Sequence, residues 1–171
     1  PLVPRGGGAS YTDGYVPAEE NSILVDTSRM NAIVEINERD MYVVAQVGVT
    51  WAALNDALAA KGLRTPFFGP FSGIAATIGG GLSQGAVTWG TGVFGISGEN
   101  VLGVEVVLGT GEVVRTGSWG AANSVPFLRR YGPDLTGLFM SDAGALGIKT
   151  TVSMRLMPRR EHVLGLSFGF K

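Results

Sequence analysis

The chain has 171 residues, with 13 Lys and Arg against 14 Asp and Glu, a net charge of −1, and 45% hydrophobic residues. That length suits one domain with a buried core, and the near-neutral charge gives no long-range attraction to nucleic acid or to an anionic membrane. With no cysteine, disulfides, thiolate metal sites and cysteine nucleophiles are excluded.

No apolar run approaches the ~20 residues that span a bilayer. No signal peptide is visible, but the chain opens on Pro1 in mid-pattern, which marks a fragment and leaves a leader open. The cytoplasm is the favoured compartment. The outlier in composition is glycine: 27 residues, about twice the ~7% average.

Leu2-Val3 reads as the end of a strand that runs into PRGGGAS (Pro4–Ser10). Three glycines in a row after a strand suit a backbone concavity that presents N–H groups. Arg5 is either a phosphate partner or a solvated loop arginine. Tyr11–Ala18 carries turn residues. Ile23–Asp26, Ala32–Ile36 and Met41–Val47 read as short strands separated by polar turns, an antiparallel rhythm.

Thr50 is the N-cap expected for a helix over Trp51–Lys61, with Trp51, Leu54 and Leu58 on one face and Gly62 as the stop. Trp51 is assigned to the core. A short helix is expected within Ala76–Gln84, its first N–H groups available to an anion. Val101–Leu108 and Glu112–Thr116, joined by Gly109-Thr110-Gly111, form a hairpin. Gly117–Ser124 is loop, and Val125–Tyr131 stays open between loop and helix. Asp134 caps a brief helix over Leu135–Met140. Ile148–Met157 alternates as a strand, Pro158 breaks it, and Val163–Phe170 begins another strand.

The stretch Gly69–Gly98 organises the rest, since ten of its thirty residues are glycine. Such density needs positive φ or a ligand lying against the backbone. A linker would not carry Ile74, Ile78, Leu82, Trp89 and Phe94 among its glycines. The GxGxxG at Gly90, Gly92 and Gly95 is not a dinucleotide fingerprint, because the next element is a strand and not a helix. GALGIKT (Gly144–Thr150) is not a P-loop, since Ile148 separates glycine from lysine. His162 is expected at the surface, and one histidine without cysteine builds no common metal cluster. No GxSxG elbow is present. The chain therefore has backbone to cradle a ligand and no catalytic side chain that can be assigned.

PRGGGAS, then GPFSGIAATIGGGLSQGA with ENVLGVEVVLGTGEVVRTG, then YGPDLTGLFMSDAGALGIKTTVSMRLMPR resemble the FAD-binding domain of the vanillyl-alcohol oxidase / p-cresol methylhydroxylase (PCMH-type) superfamily. The likeness runs from Leu2 to about Arg159. It implies an α+β fold of two subdomains with mainly antiparallel sheets and FAD between them, over residues 1–160. Residues 161–171 would begin a substrate (cap) domain.

By the same resemblance, Arg5, Gly6, Gly7, Gly8, Ala9 and Ser10 form a first cofactor loop. Ser72, Thr77, Ile78, Gly79, Gly80, Ser83, Gln84, Gly85 and Val87 form a second. Ile148 adds a backbone contact near the adenine or ribose. Members that attach flavin through the first loop carry histidine after the glycines. Ala9 stands there, which implies noncovalent FAD. Ala143 replaces an acidic residue of many relatives.

The implied parent is an FAD-linked oxidase or dehydrogenase. It would oxidise a hydroxy acid or a benzylic alcohol by hydride transfer to flavin N5 and pass electrons to oxygen, a quinone or an electron-transfer protein. Assembly of identical copies stays open. The alternatives are a non-catalytic flavin- or nucleotide-binding module and a ligand-free glycine-rich β domain.

Overall fold

The computed structural model describes residues 1–170. Its frame is a five-stranded antiparallel sheet in the order β3-β4-β8-β6-β7: β3 (Ile33–Asn37), β4 (Tyr42–Gln46), β8 (Ile148–Arg155), β6 (Val101–Val107) and β7 (Val113–Arg115). β3–β4 and β6–β7 are the hairpins expected from their turns, and β8 enters between them, so the last third of the chain closes the sheet. A separate two-stranded sheet pairs β1 (Leu2–Arg5) with β2 (Ile23–Asp26), and a third pairs β5 (Leu63–Arg64) with β9 (Met157–Pro158).

Helix α1 (Trp51–Ala59) starts at Thr50, whose hydroxyl accepts from the Ala53 N–H at 3.2 Å. Its Trp51, Leu54 and Leu58 are buried against Val43, Ala45, Val152 and Met154 of the sheet. Each such aliphatic side chain contributes about 1.5–3 kcal/mol by leaving water. Trp51 meets Phe67 edge-on at 5.2 Å, which puts it in the core as its spacing predicts. On the opposite face of the sheet Trp119 packs against Tyr42, Val44 and Leu102, whereas Val104, Val106 and Phe139 extend the α1 side beside the short helix α4 (Leu135–Leu138), capped by Asp134.

Three expectations fail. Ile23–Asp26 does not join the antiparallel series. It pairs in parallel with β1, an arrangement that no local turn can signal. Val125–Tyr131, left open between loop and helix, is irregular, its backbone tied to Ser118 through Leu128. Helix α1 stops at Ala59, ahead of Lys61. Val163–Phe170 is not a strand. It pairs with nothing among the described residues, and Val163, Leu164, Leu166, Phe168 and Phe170 are 69–95% exposed.

Helix α2 (Ile78–Ser83) and the one-turn α3 (Thr91–Phe94) come from the glycine-rich stretch. A bridge between Thr50 and Thr77 sets the starts of α1 and α2 side by side. This places the glycine-rich segment against the end of β1.

Candidate functional site

The end of β1 is pinned before it turns. Both the backbone N–H and the hydroxyl of Thr27 donate to the Arg5 carbonyl, each at 3.0 Å. The chain then passes through Gly6-Gly7-Gly8, with Gly8 at φ 64. A Cβ on Gly7 would lie 1.9 Å from the Ala75 carbonyl oxygen, and one on Gly6 would lie 2.5 Å from Thr77 Oγ1. The first glycine loop therefore rests directly on the backbone of the second, and only glycine permits that approach.

The three glycines at the start of α2 have three different reasons. A Cβ on Gly79 would meet Val47 Cβ at 2.7 Å, and one on Gly81 would meet Trp51 Nε1 at 2.7 Å. Both glycines thus admit core side chains. A Cβ on Gly80 would meet only Thr77 Oγ1, at 3.3 Å, and otherwise faces open space.

That open space is a cavity of about 380 Å³ between the two loops. Arg5 through Ser10, Ser72, Thr77, Gly79, Gly80, Ser83, Gln84, Gly85, Val87 and Ile148 all border it. Ile78 does not, contrary to expectation. Its side chain is fully buried in the core beside α1, and its N–H donates to the Val49 carbonyl at 2.8 Å.

The donors also lie elsewhere than expected. The first N–H groups of α2 are already used: Gly79 donates to Val47 O, Gly80 to Thr77 Oγ1 and Gly81 to Thr77 O. By contrast, the N–H groups of Gly6, Gly7, Gly8, Ala9 and Ser10 meet no acceptor among the described residues. A run of free N–H groups bent through a positive φ is an anion-binding concavity. The first loop, and not the helix start, supplies the donors that suit a phosphate.

Sequence reading missed several bordering residues. Tyr11, Thr12, Gly14 and Tyr15, from a segment read only as turn, also border the cavity. Thr12 Oγ1 donates to Gln84 Oε1 at 3.4 Å, and the Arg5 guanidinium lies 5.8 Å from the Tyr15 ring. Arg5 also pairs with Asp26 at 2.9 Å. The Ser28 backbone N–H, then the Ser28 hydroxyl, and Arg5 together hold the Asp26 carboxyl below its ordinary range.

The larger omission is Lys149. Its ammonium donates to Asp142 Oδ1 at 2.6 Å and to Ser83 Oγ at 2.9 Å, with side chains of the ion pair only 4% and 3% exposed. Burial pushes the Lys149 ammonium below its usual range, opposed by Asp142. The Asp142 carboxylate also accepts the N–H groups of Gly144 and Leu146, so it organises the Ser141–Gly147 turn around itself. That turn holds Ser141 and Ala143 at φ 56 and 51. It is joined to α2 where Ser141 N–H donates to Leu82 O and Ala143 N–H to Ser83 O. GALGIKT carried the lysine in plain view, but only the fold sets it beside Ser83.

His162 is exposed, as expected from its position after the last sheet strand. Among the described residues, no three His, Asp or Glu side chains come together as metal ligands, and no helix is long and apolar enough to cross a membrane.

A glycine-built cleft bordered both by free N–H groups and by a buried lysine defines a nucleotide-cradling domain. A family model described as FAD binding domain matches residues 1–117, and the chain belongs to that family. It is 35% identical over 161 residues to the glycolate oxidase subunit GlcD of Bacillus subtilis, covering 94% of this chain and 33% of that protein. It is 33% identical over 172 residues to mitochondrial D-lactate dehydrogenase [cytochrome] 1 of Saccharomyces cerevisiae, covering 98% of this chain and 28% of that one. An alkyldihydroxyacetonephosphate synthase structure shares the fold, with a TM-score of 0.76 at 22% identity over 92% of this chain and 27% of that chain. The chain thus spans about a third of the length of these relatives.

Proposed function

We propose that this chain is the cofactor-holding part of an FAD-linked oxidoreductase acting on a 2-hydroxy acid. The observation that carries the reading is the cleft: the first loop, whose five N–H groups are unpaired among the described residues, and the open side of Gly80 border one cavity of about 380 Å³. These residues fit FAD, since the donors suit its diphosphate and the glycines let it lie against backbone. The substrate class rests on the names of the relatives, one a glycolate oxidase subunit and another a D-lactate dehydrogenase.

Bound FAD supplies a hydride acceptor at flavin N5. The residues of this chain bind and orient it: Gly6 through Ser10 hold the diphosphate, Gly80 leaves room for it, and the backbone at Ile148 meets the adenosine end. Attachment is noncovalent, because Ala9 offers no side-chain nucleophile and His162 lies exposed after the last strand. In this reading residues 161–171 lead into the part of the protein that holds substrate, and the electron acceptor is oxygen, a quinone or an electron-transfer protein.

The test is the visible spectrum of the purified intact protein under anaerobic conditions. Flavin absorbance that bleaches on adding glycolate or D-lactate supports the reading. Flavin that no hydroxy acid or benzylic alcohol bleaches would favour a non-catalytic module, and a colourless protein that takes up no FAD would end the cofactor assignment.

A further inference from the structure

We propose that Lys149 and Ser83 form a donor pair for the adenosine-diphosphate half of the nucleotide, in the cavity they share with the first glycine loop. The inference deepens the cofactor reading above and rests on it. Both residues border the cavity, and Asp142 does not. The ion pair thus meets the cavity through Lys149 and not through Asp142.

The donor count points the same way. An ammonium has three N–H groups, and among the described residues Lys149 uses two, toward Asp142 and Ser83. A hydroxyl that accepts from the ammonium keeps its own O–H to donate, and the Ser83 O–H has no acceptor among the described residues. Two adjacent free donors, one of them charged, therefore remain at the cavity among the described residues.

The pair's position is fixed from three sides. Asp142 is held by Gly144 and Leu146 N–H groups, the turn is tied to Leu82 and Ser83 carbonyls, and Lys149 lies in the sheet opposite Val106. A buried ion pair adds little net stability against apolar replacements, because desolvation offsets its attraction. Such a pair exposed on one side to a ligand is a different matter: a charge-assisted hydrogen bond to the ligand is formed without further desolvation of the lysine. Arg5, the other cation at the cavity, is shared with Asp26 in partly exposed surroundings, where its charge is screened.

The experiment strips flavin from the intact protein and measures dissociation constants for FAD, ADP and riboflavin. Lys149→Met leaves Asp142 buried and unpaired, so the double variant Asp142→Asn with Lys149→Met is made beside it, and melting curves check folding. Ser83→Ala is the milder third variant. The expected result is that FAD and ADP bind the double variant roughly tenfold to hundredfold more weakly, the loss of one charge-assisted hydrogen bond, with riboflavin unchanged. Ser83→Ala is expected to weaken ADP severalfold. A folded double variant that binds FAD and ADP as the parent does would overturn the proposal and reduce Lys149 to a structural partner of Asp142. Equal weakening of riboflavin would also overturn it, since the lysine would then act through cavity shape. Failure of the unaltered protein to bind either FAD or ADP would instead remove the cofactor reading itself.

Discussion

Replacing Gly80 by valine separates cofactor binding from folding. The new Cβ meets only Thr77 Oγ1, at 3.3 Å, and the branched end projects into the open side of the cleft. Within α2 the exchange gains a few tenths of a kcal/mol of helix propensity. Crowding of the Thr77 cap, whose hydroxyl accepts the Gly80 N–H at 3.3 Å, costs at most about 1 kcal/mol. The net change is within about 1 kcal/mol, a shift of roughly 2–4 °C in Tm for a domain of this size. Affinity for FAD should nevertheless fall at least about a hundredfold, about 2.7 kcal/mol, because three side-chain carbons occupy space the diphosphate needs. Quenching of FAD fluorescence by the apoprotein measures binding, and a melting curve measures folding. Gly79→Val is the contrasting control: its Cβ would lie 2.7 Å from Val47 Cβ, so it should damage the fold first. Stoichiometric FAD retained by a well-folded Gly80→Val protein would show that the diphosphate does not lie against this glycine.

Truncating fully buried Leu54 to alanine opens a cavity beneath α1 and should cost about 3 kcal/mol, seen as a Tm lower by roughly 6–12 °C; a loss under about 1 kcal/mol would contradict the packing. Asp26, Glu105 and Asp134 all titrate below their ordinary values. For Asp134 the chief cause is the Arg129 hydrogen bond, and for Glu105 burial pushes upward but the Thr150 and Arg115 bonds outweigh it. Their stabilisation is complete above the unfolded carboxylate range near ~4 and is lost as pH falls through the lower folded values. Melting curves from neutral pH downward should show that loss, and Asp134→Asn should flatten it. Acid or heat denaturation should release yellow cofactor into a filtrate, whereas colour retained on the precipitate would mean a covalent link. The 171-residue chain alone, given FAD, an artificial electron acceptor and hydroxy acids, should not reduce the dye, since among the described residues no histidine or carboxylate borders its cleft; substrate-dependent reduction would place catalytic groups within it.

Local physics was legible in the sequence wherever one residue governed one element. Thr50 and Asp134 cap their helices, the turn at Gly109–Gly111 closes a hairpin, and the spacing of Trp51, Leu54 and Leu58 fixes the face of α1 that turns inward. The two glycine loops announced a ligand held by backbone, because glycine costs backbone entropy and a dense run of it among buried apolar residues must answer a need for close approach or positive φ. The sequence could not say what those loops would do with their N–H groups. The Val47 and Val49 carbonyls lie far along the chain from Gly79 and Ile78, yet they take the donors expected to serve an anion, leaving that role to Gly6 through Ser10.

The parallel pairing of β1 with β2, the entry of β8 between two hairpins and the meeting of Ser83, Asp142 and Lys149 are likewise decided in three dimensions. Ser83 and Lys149 are 66 residues apart in the chain. Hydrogen bonds and ion pairs between such distant groups have no local periodicity to betray them. They exist only after burial of the core has fixed which strands are neighbours, and for that reason the cationic wall of the cleft was invisible until the sheet was assembled.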